Sequence, residues 1–359
     1  MEQRSYEITF LTPAFLGGAD QGARWRSPPF KQLLRAWWRV AWAQDQDFRL
    51  HGDAVKKMRA AEGRLFGNAW LSEDEGGHRK SRLRLRLDSW DPGKLKDWEG
   101  TAERKTHHPE VGMGGNGMPV GSELYLGYGP LTHDKNRRCT VLKGNAAIQA
   151  GETATLRLAI PGDDQAEIHR IDRAMHWIDR FGTIGGRSRN GWGALQVQVK
   201  TGTPSGRSTP LPLVPWEKAL ETEWAHAVGA DDTGPLIWQT GSQADWHGLM
   251  QTLAAIKIGF RTHLSFTTGK GAKKTEPRHW LSYPVTNHDV LGWNNQRLPN
   301  SMRFTARKDA QGRLRGVIYH MPIRPPAEFR PDGRALCSAW GNVHDFLDTQ
   351  CHGLNRIKE

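Results

Sequence analysis

A run of glycines and arginines near the middle of the chain has the residue types that bind phosphate. From residue 182 to 193 the sequence reads GTIGGRSRNGWG. Glycine lets the backbone approach a ligand closely, and successive backbone N–H groups can form an anion-binding nest. Arginine suits phosphate oxygens, and a tryptophan ring can stack on a base. The run predicts an RNA-binding loop formed by Gly185, Gly186, Arg187, Ser188, Arg189, Asn190 and Trp192. The alternative is a helix-to-strand turn with solvated arginines.

A second basic pattern lies on a predicted helix over residues 28–44. Apolar residues at helical spacing, among them Phe30, Leu34 and Trp37, form its core face. The neighbouring face carries cations at i, i+4 and i+8, with a tryptophan on nearly the same line. It predicts a further RNA-binding surface made of Lys31, Arg35, Trp38 and Arg39, or alternatively a solvated helix face.

The clearest strand pattern is SRLRLRLD at residues 81–88, where leucines and arginines face opposite sides. Three like charges on one face repel each other unless an anion or acidic neighbours compensate them. The arginines of this strand therefore join the weaker RNA-binding candidates, which are Gly17, Gly18, Arg24, Arg26, Arg82, Arg84, Arg86, Lys270, Lys273 and Lys274.

The composition supports a polyanionic partner. The 359 residues include 50 Lys and Arg against 38 Asp and Glu, a formal charge of +12, and 16 of the aromatic residues are Trp. Such an excess favours RNA or DNA. Three distant cysteines argue against a disulfide framework and a cysteine zinc site. No apolar run is long enough for a membrane span, and the first residues lack a secretory signal. We expect a cytoplasmic protein with no cofactor, no metal and no membrane contact.

The order of predicted elements in residues 1–200 is strand, helices, strands, helix and strand. The strands cover residues 4–11, 81–88, 123–128, 153–160 and 194–200, and the helices 28–44, 53–66 and 163–181. This β-α-β-β-α-β order is typical of a ferredoxin-like, or RRM-like, domain. An acidic turn is predicted at residues 72–77 and a long flexible insertion at 100–119.

The remaining chain predicts a second domain of the same type. Residues 201–235 are rich in Pro and Gly and predict a linker or crossing segment. Residues 236–359 contain predicted helices near 246–260 and 338–347 and strands at 263–266, 301–307 and 315–321. The expected fold is α+β, with two tandem ferredoxin-like domains and insertions.

The sequence contains no recognisable catalytic motif. Gly112–Gly117 matches G-x-G-x-x-G but neither follows a clear strand nor opens a helix, so we reject a dinucleotide site. The histidines, for example His107, His108, His169 and His176, form no recognisable acid–base pair. No spaced carboxylate set for two metals is present.

Several of these segments together resemble a known family. TPAFLGGA at residues 12–19, RWRS at 24–27, FKQLLRAWWR at 30–39, LFG at 65–67 and the glycine-rich loop are similar to motifs of the CRISPR-associated RAMP superfamily. Within it, the chain resembles the first-numbered RAMP subunits of the Cmr module, part of the type III-B effector complex. The resemblance covers roughly residues 5–70 and 165–200. One departure is Gln32, where the family often has a small residue.

The resemblance implies two RRM-like domains and a non-catalytic, RNA-binding subunit at the crRNA 3′ end of a ribonucleoprotein. The implied partners are crRNA, target RNA and other Cmr subunits, especially a neighbouring RAMP subunit. One alternative is a RAMP endoribonuclease that processes CRISPR precursor RNA, since those enzymes share the glycine-rich loop. A weaker alternative is a basic scaffold that binds only proteins.

Overall fold

The computed structural model describes residues 1–18, 22–69, 78–98, 103–202, 209–293, 295–351 and 353–358. The N-terminal elements are β1 (Glu2–Phe10), α1 (Ser27–Asp45), α2 (Ala54–Phe66), β2 (Arg84–Leu87), β3 (Lys105–His108), β4 (Met118–Gly121), α3 (Ser122–Gly127), β5 (Leu131–Asp134), β6 (Cys139–Leu142), β7 (Thr153–Ile160), α4 (Gln165–Phe181) and β8 (Leu195–Thr201). The C-terminal elements are β9 (Leu213–Pro215), α5 (Trp216–Ala219), β10 (Val228–Asp231), β11 (Gly234–Pro235), β12 (Ile237–Thr240), α6 (Trp246–His263), β13 (Met302–Lys308), β14 (Leu314–His320), α7 (Gly333–Thr349) and β15 (Leu354–Arg356).

The first domain is built on an antiparallel sheet with strand order β2-β7-β1-β8. Helices α1 and α4 connect its strands as β-α-β-β-α-β and pack against each other. Alternation in β1 buries Tyr6, Ile8 and Phe10 beneath the helices, as the sequence pattern predicts. This strand order and connectivity define a ferredoxin-like domain.

The second domain repeats the same topology. Its antiparallel sheet has the order β13-β14-β12-β15, with α6 between β12 and β13 and α7 between β14 and β15. The prediction of an α+β protein with two tandem ferredoxin-like domains is therefore confirmed.

The two domains stack as alternating layers. One face of the second sheet packs on α6 and α7, and the other turns Ile237, Val317 and Tyr319 into the core of the first domain. The Tyr319 ring lies 4.8 Å from that of Phe181, and its hydroxyl donates to the Phe181 carbonyl at 3.0 Å. There are four layers: the first sheet, then the helices α1 and α4, then the second sheet, and finally the helices α6 and α7. The outer face of the first sheet remains open.

Two predicted strands are wrong. Residues 123–128 form most of α3, because Ser122, Glu123, Leu126 and Gly127 are buried at helical spacing against α6. Residues 263–266 fall at and beyond the end of α6, which runs on to His263. At residues 123–128 a short alternating pattern is overridden by packing on one face of a helix.

Two predicted irregular regions are folded. The described part of the 100–119 insertion contains β3 and the first residues of β4, and it is tied to α6 because Gln251 donates to the Lys105 carbonyl at 2.8 Å. Within the predicted linker, β9, β10 and β11 form a small sheet. Residues 100–102 and 203–208, and the predicted acidic turn at 72–77, lie outside the described residues. The exact domain bounds stay predictions.

The hydrogen bond between Tyr319 and Phe181 crosses the domain junction. Replacing Tyr319 with Phe keeps the ring and leaves the Phe181 carbonyl without this donor, so we expect a loss of about 1–2 kcal/mol in the free energy of unfolding. Urea denaturation measures this loss. Tyr128→Phe is the control because Tyr128 is 66% exposed. Equal stability of the two variants would contradict the assignment.

Candidate functional site: a basic cleft between the domains

The glycine-rich loop, residues 182–193, connects α4 to β8 and is held from two sides. The N–H of Gly193 donates to the Pro13 carbonyl at 2.8 Å, and that of Gly186 donates to the Phe15 carbonyl at 2.9 Å. On the opposite side, the N–H of Phe304 in β13 donates to the Arg189 carbonyl at 3.0 Å. The N-terminal motif and the second domain therefore fix the loop together.

Backbone conformation explains the glycine density of this loop. Gly193 has a φ of 66°, and a Cβ there would lie 2.0 Å from the Ile184 carbonyl oxygen. Gly185 has a φ of 94°, and its Cβ would lie 2.7 Å from the Phe15 carbonyl oxygen. Within the described chain, the N–H groups of residues 187–189 donate to no backbone carbonyl. They are available to an anion, as in a backbone nest.

Loop residues 187–190 form one wall of an interdomain cleft of about 800 Å³. Helix α6 supplies Lys257 and Arg261, and the segment after residue 281 supplies Arg297. No described residue that lines the cleft carries a carboxylate. The full lining is Tyr125, Tyr128, Arg187, Ser188, Arg189, Asn190, Lys257, Arg261, Ser282, Tyr283, Pro284, Thr286, Arg297, Leu298, Pro299 and Asn300.

Lys257 joins the two domains at the base of the cleft. Its Nζ donates to Asn190 Oδ1 at 2.7 Å, and Asn190 Nδ2 donates to the Leu126 carbonyl at 2.7 Å. Burial, followed by repulsion from Arg261 and Arg187, lowers the pKa of Lys257 to about 7. A bound phosphate would favour the charged form of this amine, so the positive surroundings of Lys257 favour an anion at this position.

Arg261, one turn further along α6, is oriented by Ser282, to which its Nη1 donates at 2.7 Å. Burial lowers its pKa, while the nearby Tyr125 opposes this shift. The neighbouring Arg278 is paired with Glu110 at 2.6 Å, so Glu110 is already engaged. Arg261 therefore keeps an excess of positive charge inside the cleft.

The two tryptophans predicted to contact RNA are core residues. Trp192 is fully buried, with its ring 5.1 Å from Phe15 and 5.7 Å from Trp98. Trp38 is fully buried as well, and its indole N–H donates to Glu167 at 2.8 Å. Stacking of a base on either ring is excluded in this fold. The aromatic residues that line the cleft are tyrosines, of which Tyr128 is 66% exposed.

The basic stripe of α1 has an intramolecular role, and its contact with RNA stays a prediction. The buried Glu62 of α2 pairs with Arg35 at 2.5 Å and accepts from Arg39 Nη2 at 2.9 Å. Lys31 Nζ donates to the Phe66 carbonyl at 2.8 Å. These cations hold α2 against α1, and the prediction did not account for a partner on the following helix.

The weaker candidates lie outside the cleft. The loop with Lys270, Lys273 and Lys274 is tied to its neighbour because the N–H of Ala272 donates to the Asp289 carbonyl at 2.9 Å. Arg82 pairs with Asp163 at 2.6 Å. The remaining weaker candidates are Gly17, Gly18, Arg24, Arg26, Arg84 and Arg86. For every one of the weaker candidates, contact with RNA stays a prediction.

Sequence patterns did not identify the half of the cleft that comes from the second domain, which supplies Lys257, Arg261 and Arg297. Tyr125 and Tyr128, from α3 and its C-terminal cap in the first domain, were not among the candidates either. The available signal was the pair of cations at i and i+4 on the predicted helix near residues 246–260, which places them on one face.

Two further properties concern the described part of the chain. It contains no group of three His, Cys, Asp or Glu residues arranged to hold a metal ion. None of its helices combines the length and apolar character needed to cross a membrane.

The fold and the cleft define the chain as a tandem ferredoxin-like protein with a cationic interdomain site. The family model described as RAMPs, RAMP superfamily, matches residues 7–196, which is more than half of the sequence. The chain therefore belongs to the RAMP superfamily. No curated protein matches its sequence significantly.

Solved structures with a similar outline include three CRISPR proteins. The apo crystal structure of Cmr1 from Pyrococcus furiosus is 11% identical, covers 99% of this chain and 98% of that chain, and has a TM-score of 0.47. A chain of the type III-B Cmr-beta complex bound to cognate target RNA and AMPPnP is 12% identical, with 95% and 98% coverage and a TM-score of 0.48. A chain of a type IV-B CRISPR complex is 12% identical, with 59% and 94% coverage and a TM-score of 0.32.

The lowered pKa of Lys257 predicts a pH-dependent stability. Between about pH 7 and 10.5 the unfolded chain keeps the lysine proton that the folded chain has lost, so stability rises with pH. Relative to Lys257→Met, the wild type should gain up to about 1.4 kcal/mol per pH unit in this window and nothing below it. Urea denaturation of both proteins at pH 6.5, 8 and 9 measures the difference. A constant difference would refute the lowered pKa.

Proposed function

We propose that the chain is a non-catalytic, RNA-binding subunit of a type III-B CRISPR effector complex. In this proposal it acts in the cytoplasm at the 3′ end of the crRNA, beside a neighbouring RAMP subunit, and helps to hold guide and target RNA. The observation that carries the RNA-binding role is the interdomain cleft, in which five cations, Arg187, Arg189, Lys257, Arg261 and Arg297, face a space without a described carboxylate.

The cleft suits a single-stranded RNA backbone. Its cations come from both domains, and the amides of residues 187–189 add neutral donors, so phosphates can be bound without reading the sequence. The exposed ring of Tyr128 at the rim offers a sequence-tolerant stacking surface. The assignment to the Cmr module rests on the motifs at residues 12–19, 24–39 and 65–67 together with the glycine-rich loop.

The non-catalytic part of the proposal follows from the groups that face the cleft. Metal-independent RNA cleavage needs a positioned general acid and base, commonly His. The described lining contains no His, Asp or Glu. His320 and His344 are hydrogen-bonded to each other at 2.9 Å, and His320 is also hydrogen-bonded to Ser301 at 2.8 Å. All three residues are buried in the second domain.

One observation favours the alternative, a RAMP endoribonuclease. Lys257 has a pKa of about 7, which is in the range suited to a general base. Its Nζ is held by Asn190 within the RNA-binding cleft. The two functions share the binding site and differ only in whether Lys257 binds a phosphate or removes a proton.

Charge removal in the cleft tests the binding proposal. The double variant Arg187→Gln/Lys257→Gln should bind a single-stranded RNA more weakly, and its log–log salt slope should fall by about 0.7 for each lost phosphate contact. Fluorescence anisotropy at four salt concentrations and pH 6.5 measures both. The control is Lys57→Gln/Arg334→Gln, which removes two exposed charges from α2 and α7. Equal slopes for the two variants would refute binding in the cleft.

Cleavage is tested in the same reactions. We expect labelled single-stranded RNA and CRISPR repeat RNA to remain intact after prolonged incubation with the wild type, with and without EDTA, because the cleft lacks an acid–base pair. Denaturing gels detect the products. Cleavage that persists in EDTA and is lost in Lys257→Gln would make the protein an endoribonuclease.

A further inference from the structure

The open face of the first sheet carries arginines that the cleft does not use. Arg84 and Arg86 lie on β2, and Arg157 lies on the adjacent strand β7, directly opposite Arg86 in the antiparallel register. All three side chains are exposed. Alternation along the strands places them on the side opposite to α1 and α4. No residue of this group lines the interdomain cleft.

The rest of the described chain compensates the charge of these three arginines only weakly. None makes a side-chain hydrogen bond or ion pair with a described residue, and Asp88 interacts with Arg157 only through space. Neighbouring cations differ: Arg4 pairs with Asp172 at 3.2 Å and Lys200 with Glu7 at 3.0 Å. Like charges on facing positions destabilise a sheet, so the cluster favours an external anion.

The arginines border a shallow groove of about 440 Å³. The rest of the lining is Arg4, the polar residues Gln3, Ser5 and Thr201, and the apolar residues Leu85, Leu158 and Ala159, so the described lining includes neither a carboxylate nor an aromatic ring. Single strands are commonly bound by stacking bases on aromatic residues. A duplex instead presents phosphates and 2′-hydroxyls, with its bases already stacked.

Protection of a sheet edge accounts for only part of this cluster. Charged residues on an edge strand prevent pairing with other chains, and β2 is an edge strand that carries Arg84 and Arg86. However, β7 lies inside the sheet between β2 and β1, so Arg157 has no edge to protect. Edge protection therefore does not explain Arg157.

We propose that the outer face of the first sheet binds the phosphate backbone of an RNA duplex through Arg84, Arg86 and Arg157. This surface is separate from the interdomain cleft and acts independently of it. The guanidinium groups contact phosphates, and Gln3, Ser5 and Thr201 are placed to contact 2′-hydroxyls. Recognition is of backbone shape and not of sequence.

The test compares a blunt RNA duplex with a single-stranded RNA of the same length. The full chain with Arg84→Gln/Arg86→Gln/Arg157→Gln should bind the duplex at least fivefold more weakly at low salt, and its salt slope should fall by about 0.9 for each lost contact. Binding of the single strand should change less than twofold. The matched control, Lys57→Gln/Lys218→Gln/Arg334→Gln, removes the same charge from exposed helix positions.

Three outcomes would overturn this proposal: unchanged duplex affinity, equal losses in the triple variant and its control, or equal losses for both RNAs. Thermal denaturation of both variants establishes that each is folded. Because the cleft variant Arg187→Gln/Lys257→Gln is tested on the single strand, failure of the cleft proposal would be seen separately. Retained duplex binding by that variant supports an independent surface.

Discussion

The structure depends on how backbone hydrogen bonds fix the glycine-rich loop between the two domains. Carbonyls of the N-terminal motif at Pro13 and Phe15 hold one side of the loop, and β13 of the second domain holds the other. The positive φ angles at Gly185 and Gly193 allow this close approach. As a result, the loop is held from both sides, and the second domain helps to determine where the N–H groups of residues 187–189 point.

Electrostatic imbalance distinguishes the cleft from the helix surfaces of the first domain. On those helices cations have partners: Glu62 binds Arg35 and Arg39, and Asp45 pairs with Arg170 at 2.5 Å. In the cleft, Lys257 is held by a neutral amide, and its pKa is lowered by burial and then by repulsion from Arg261 and Arg187, whose charge the cleft does not neutralise. The fold thus separates structural cations, which are paired, from those available to an external polyanion.

Sequence patterns predicted the helices and strands that bury one face over several periods. They did not predict contacts between residues that are distant in the chain. Alternation identified β1 and β7, and helical spacing identified α1, α4 and α6, since burial of one face imposes these periods. The pattern could not show that Trp38 and Trp192 point inward, or that Glu62 neutralises the stripe on α1. The second-domain part of the cleft comes from α6 and from residues 282–300. Only the tertiary fold brings Lys257 to Asn190, which lies 67 residues earlier in the chain.

Because the domains stack, their two sheets have different surroundings although they share one topology. The second sheet uses Ile237, Val317 and Tyr319 to cover the helices of the first domain, whereas the corresponding side of the first sheet is polar and open. A second domain produced alone would expose this apolar face to water and would be prone to self-association. The second sheet thus completes the core of the first domain, and the two domains are not independent modules in series.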